Sequence, residues 1–113
     1  MDMQMQQRRR AELSEDAAWR AAFIIFDRLG KDARIWRHVD LDTATLDFKA
    51  MLDEGTFSGG ERRLIEIAAS LFNQEHDVNL WSVLRSLDDA SAVAVERAIH
   101  SFLWRDEHVE AMS

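Results

Sequence analysis

The chain has 113 residues, a formal net charge of −7, a hydrophobic fraction of 47%, no cysteine, no proline and four glycines. That length suits one domain with a real but modest core, and the composition argues against wholesale disorder. The missing cysteine excludes disulfides and thiol chemistry, and the acidic balance opposes non-specific binding to nucleic acid.

Scarce breakers and plentiful Ala, Leu, Glu and Arg predict helices. Residues 1–13 carry Arg8, Arg9 and Arg10 against Asp2 and Glu12, a local +1 that leaves −8 for the rest. This short basic lead is expected to be a flexible tail, too brief for a nucleic-acid arm. No apolar run follows those arginines, so no secretory signal is expected there. Ser14 before Glu15 and Asp16 predicts an N-cap. The helix that follows ends near Leu29, with Gly30 as its stop. Trp19, Ala22, Phe23, Phe26 and Leu29 recur at helical spacing and mark its core face. The longest apolar stretch, Ala21 to Phe26, is far too short to cross a membrane.

Residues 31–45 are ambiguous. Ile35, Trp36 and Val39 fit one face of a short helix, whereas Val39 to Asp42 alternates as an extended segment would. A short helix and a turn are preferred, with Asp42 or Thr43 capping a helix over 44–54 that Gly55 ends. Ser58 starts the clearest helix, with Leu64, Ile65, Ala68, Leu71 and Phe72 as its stripe and Asn73 as its stop. A polar loop over 73–77 leads to a short helix, with Leu80, Val83, Leu84 and Leu87 expected inward. Asp88 or Asp89 caps a last helix to about Arg105, with Val95, Ile99, Phe102 and Leu103 on its inner face. The expected architecture is all-α: a single compact domain of about five or six helices over 14–105, with a frayed tail over 106–113.

The run Phe57-Ser58-Gly59-Gly60-Glu61-Arg62-Arg63 opens the clearest helix. From Phe57 to Phe72 it resembles the signature loop of ABC-type ATPases, in which free N–H groups at a helix start meet a nucleotide phosphate. The rest of that machinery is missing. The sequence holds no Gly-x-x-x-x-Gly-Lys-(Ser/Thr) loop, and no apolar strand ending in Asp-Glu follows the motif. Ser58 and Glu61 are also spaced as a capping box, which explains them without a ligand. Ser58, Gly59, Gly60, Arg62 and Arg63 remain the candidate anion-binding set, since two arginines at a helix start oppose the dipole. The glycines suit either close packing of the first turn or a delayed helix start.

A broader resemblance runs over residues 55–103. Ser58 to Arg62, Leu64, Ala68, Leu71 and Asn73, then Val78-Asn79-Leu80, then Leu87-Asp88, resemble a set of small helical proteins of unknown function from high-GC bacteria and their phages. These positions are caps and core sites, so the resemblance implies a shared fold and carries no catalytic residue with it.

No catalytic set, metal site or cofactor is expected. His38, His76, His100 and His108 lack ligand spacing, and Asp40, Asp42, Asp47 and Asp53 lack that of a calcium loop. Trp19, Trp36, Trp81 and Trp104 are many for this length. Core packing accounts for indoles in general, but Trp and Arg also anchor interfaces. Trp36 with Arg37 and Trp81 with Arg85 are therefore the interface candidates. The expectation is a cytoplasmic, non-enzymatic, acidic interaction protein that binds a protein partner or itself, with no membrane role and no small-molecule ligand. The rivals are an anion- or nucleotide-binding accessory module at Ser58–Glu61, and a DNA-binding regulator using the last two helices and Arg8–Arg10, which the acidic balance disfavours.

Overall fold

Capping side chains divide the chain into its elements. The computed structural model describes residues 3–30, 32–73 and 77–104, among which lie seven helices and one two-stranded ribbon. Residues 1–13, expected as a flexible lead, are helical from Met3 to Leu13 (α1), built of good helix formers. This helix buries no residue. Its end claims Ser14, whose hydroxyl donates to the Arg10 carbonyl at 2.8 Å. Ser14 is therefore not the cap of the next helix, α2 (Ala17–Leu29). Asp16 is, accepting from the N–H groups of Ala18 and Trp19. Gly30 ends α2 as expected, at φ 82° and ψ −155°, a conformation that glycine adopts and L-residues resist.

Asp32 caps the short α3 (Ala33–Trp36), which buries Ile35. The next segment takes the extended alternative. Val39–Asp40 (β1) pairs antiparallel with Thr45–Leu46 (β2), Val39 opposite Leu46. The Asp40 carboxylate shapes the turn, accepting from the amides of Asp42 at 3.0 Å and Thr43 at 3.1 Å. Asp42 and Thr43 are thus spent in a hairpin. Asp47 instead caps the next helix, α4 (Phe48–Asp53), which is shorter than expected.

Helix α5 (Gly59–Phe72) starts and stops where the sequence places it, between Ser58 and Asn73. Helix α6 (Leu80–Arg85) buries only Val83; the expected inward placement of Leu80 and Leu84 is corrected, as both are exposed. Helix α7 (Asp89–Leu103) is capped by Asp88 and buries Ser91, Ala94, Val95 and Ala98. Of its expected inner face Val95 is buried and Ile99 half-buried, but Phe102 and Leu103 face solvent. The cause is size. α7 packs chiefly against α2, and small side chains let two helices approach closely.

Helix α2 is the centre, packed on α5 at one side and α7 at the other. Phe26, Ile25, Ile35, Met51, Leu64 and Ile65 are the largest fully buried side chains. Six aromatic rings, Phe26 among them, close a circuit in the order Trp19, Phe23, Trp36, Phe26, Phe48, Phe72 and back to Trp19. Successive centroids lie between 5.1 and 6.4 Å apart. Edge-to-face and offset contacts of this kind add to simple area burial, and this circuit ties α2, α3, α4 and α5 into one body.

Candidate interaction surface

A six-residue helix can bury one side chain where the core is already closed, and α6 does so with Val83. Its remaining apolar residues face out: Trp81 is 69% exposed, Leu80 56% and Leu84 44%. The Arg85 guanidinium carbon lies 4.7 Å from the Trp81 ring centroid, a cation–π pair one helical turn apart. Asp77, Asp88 and Asp89 are exposed at the two ends of the helix. Hydrogen bonds from the Ser91 amide and hydroxyl, with Arg28 nearby, hold the Asp88 carboxyl below the ordinary aspartate range. The outer face of α6 is therefore an apolar strip led by an indole with Arg85 over it, and exposed aspartates lie in the chain beyond both ends of the helix.

The other tryptophan singled out from sequence behaves differently. Trp36 is half-buried against Phe23 and Phe26, and its indole N–H donates to the Gly30 carbonyl at 3.1 Å. Arg37 turns back, its Nε lying 3.1 Å from the Ala33 carbonyl and 3.1 Å from Glu54 Oε1. Glu54 also receives His38 Nε2 at 2.9 Å. Trp36 and Arg37 serve the fold around α3, while Trp81 and Arg85 stand out from α6.

The glycine turn before α5 is occupied by the protein's own groups. The Glu61 amide donates to the Ser58 hydroxyl at 3.2 Å, and the Ser58 amide donates to Glu61 Oε1 at 2.8 Å, completing a capping box. The Glu61 carboxylate already supplies negative charge to this helix end. Arg62 faces away, donating to the Leu52 carbonyl at 3.0 Å and pairing with Glu66 at 3.2 Å. A Cβ at Gly59 would meet only the Arg63 side chain, 2.9 Å off, and Gly60 faces open space. Neither glycine is explained by close packing of helices.

Arg34 is a residue the sequence pattern does not single out. Its guanidinium donates to Asp32 at 2.6 Å and to the Thr56 carbonyl at 2.6 Å, reaches Glu61 at 3.5 Å, and covers the Phe57 ring at 4.4 Å. It clamps the turn that opens α5. The Arg34 hydrogen bond holds the Asp32 carboxyl below its usual range, and Asp32 in turn raises the Arg34 guanidinium. The only sequence signal was the Asp-x-Arg spacing beside a cap.

An open cleft of about 780 Å³ runs between the ribbon, α4 and the end of α5. Lys49 and Arg62 line it together with Asp47 and Asp53, so no single charge sign selects a ligand. Among the described residues no group of three or more His, Asp or Glu side chains could hold a metal, and no helix is long and apolar enough to cross a membrane. His76 and His108 lie outside the described residues, as do Arg105 and the expected tail over 106–113. No family model matches this chain, and neither a curated protein nor a solved structure matches it.

Proposed function

We propose that this chain is a non-enzymatic, cytoplasmic protein-binding module that presents the outer face of α6 to a protein partner. The observation that carries this reading is Trp81, 69% exposed beside two further exposed leucines on one short helix. Large apolar side chains grouped on a surface mark interaction sites, and tryptophan and arginine dominate binding energy there. The net charge of −7 and the aspartates near both ends of α6 favour a partner whose apolar patch is rimmed by lysine or arginine. A regulator that covers a nucleic-acid-binding surface of its target is a special case of this chemistry. A second copy of the chain is disfavoured, because two molecules of charge −7 repel as they approach.

The test is affinity capture from the native host with wild-type, Trp81→Ala and Leu84→Ala chains, alongside far-UV circular dichroism. The expected result is a partner held by the wild type, lost with each variant at unchanged helicity, and released as salt is raised. Equal retention by wild type and both variants overturns the reading.

A further inference from the structure

Helix α1 buries no residue, yet it is held against the body by arginine. The Arg10 guanidinium carbon lies 4.6 Å from the Phe23 ring centroid and 5.8 Å from that of Trp36, and its Nη2 donates to Asp27 Oδ2 at 2.6 Å. The two rings are nearly parallel, 14° apart in plane with centroids 6.4 Å apart. Two aromatic faces and one carboxylate thus form a notch that a guanidinium fills. The ring faces attract the cation, the carboxylate takes a charge-assisted hydrogen bond, and a planar guanidinium suits stacking better than an ammonium does.

The walls of this notch are set without α1. Phe23 packs on Trp19 within α2, ring centroids 5.6 Å apart. Trp36 is fixed by Phe26 and by its hydrogen bond to Gly30. Arg20 ties the α1–α2 turn at the Ser14 carbonyl, but the plug itself is an exposed pair: the Arg10 and Asp27 side chains are 35% and 58% accessible, and Arg9 approaches Asp42 at 3.7 Å. A surface pair of this kind can exchange for an equivalent one, and a preorganised receptor site costs little to occupy. We infer that the Phe23–Trp36–Asp27 notch is a recognition site for an arginine side chain of a protein partner, and that α1 is its built-in competitor. In the free chain Arg10 fills the notch, and a partner's arginine displaces it. This inference stands on α1 and is independent of α6.

The test uses the full-length chain. N-acetyl-argininamide is titrated into wild-type, Arg10→Ala and Arg9→Ala proteins while NMR follows the tryptophan indole N–H signals, with amide dispersion confirming the fold. Arg10→Ala is expected to give a saturable shift at Trp36 alone, with affinity about tenfold above wild type, because self-occupancy reduces apparent affinity. Arg9→Ala should respond as wild type does, N-acetyl-lysinamide should bind Arg10→Ala more weakly, and adding Asp27→Asn should abolish the response. An unmoved Trp36 signal in folded Arg10→Ala at tens of millimolar probe overturns the inference. Equal shifts at all indoles, or equal effects of the arginine and lysine probes, overturn it as well.

Discussion

The Arg20 guanidinium grips Ser101, 81 residues further along the chain, at two points. Nε donates to its hydroxyl at 2.7 Å and Nη2 to its backbone carbonyl at 2.8 Å. The third branch, Nη1, donates to the Ser14 carbonyl at 2.9 Å. The Ser101 carbonyl lies in the last turn of α7, where helix carbonyls lack intrahelical partners. One side chain therefore caps α7, closes the α1–α2 turn and joins the first long core helix to the last.

Arg20→Ala should destabilise the fold by about 2–3 kcal/mol, the scale of losing part-buried hydrogen bonds from a charged donor. Ser101→Ala leaves the carbonyl contact in place and should cost only about 1 kcal/mol. Urea denaturation of both single variants and the double variant measures this. The double should fall short of the sum, because the two residues share an interaction.

The capping box makes a second claim on stability. Ser58→Ala should cost about 1 kcal/mol. Glu61→Ala should cost a similar amount, since its carboxylate serves the Ser58 amide and faces Arg34. Adding ATP or sulfate should leave the amide signals of Gly59 and Gly60 in place. Ligand-dependent shifts there at millimolar concentration would favour an anion site over a cap.

The parts of this fold that local chemistry dictates are legible in the residues themselves. Ser58-x-x-Glu61, Asp88, Gly30 and Asn73 each mark a helix boundary through a side chain or backbone conformation within a few residues. Ser14 misled because Asp16, two residues on, offers an equally good cap, and the choice depends on where α1 ends. The ribbon strands are two residues each, too short for alternation to identify. On α7 the expected face is right at Val95 and Ile99 but runs too far, to Phe102 and Leu103 in the last turn, and periodicity, which weights large side chains, passes over the buried Ala94 and Ala98. At the candidate surface, sequence named Trp36 and Trp81 on equal grounds. What separates them is Phe23, Phe26 and Arg10 converging on one indole, which no spacing rule reveals.

Acid should weaken the fold through a definable set of carboxylates. Asp32, Asp40 and Asp88 are each held below the ordinary aspartate value, by hydrogen bonds from Arg34, Thr43 and Ser91 respectively. A folded-state value below the unfolded one contributes stability that is fully present above the unfolded value, about 3.9, and is lost as pH falls through the folded value. Urea midpoints should therefore hold steady for these groups from neutral pH to about pH 5 and drop below about pH 4. Asp32→Asn should lower the neutral plateau and make the acid drop shallower, since the protonation it removes is one that opposes folding.

The two tryptophans provide the sharpest comparison. Trp36 takes part in the aromatic circuit and donates to Gly30, so Trp36→Ala should cost about 3 kcal/mol, the low end for deleting a large aromatic from a core. Trp81 is mostly in water and, among the described residues, pairs with Arg85 on its own helix, so Trp81→Ala should fall within about 0.5 kcal/mol of wild type. Paired urea melts decide this. Should both variants lose comparable stability, Trp81 would be part of the packed body, and the claim that α6 offers a free apolar face would fall with it. A stable Trp81→Ala chain that no longer retains its partner would separate binding from folding at a single side chain.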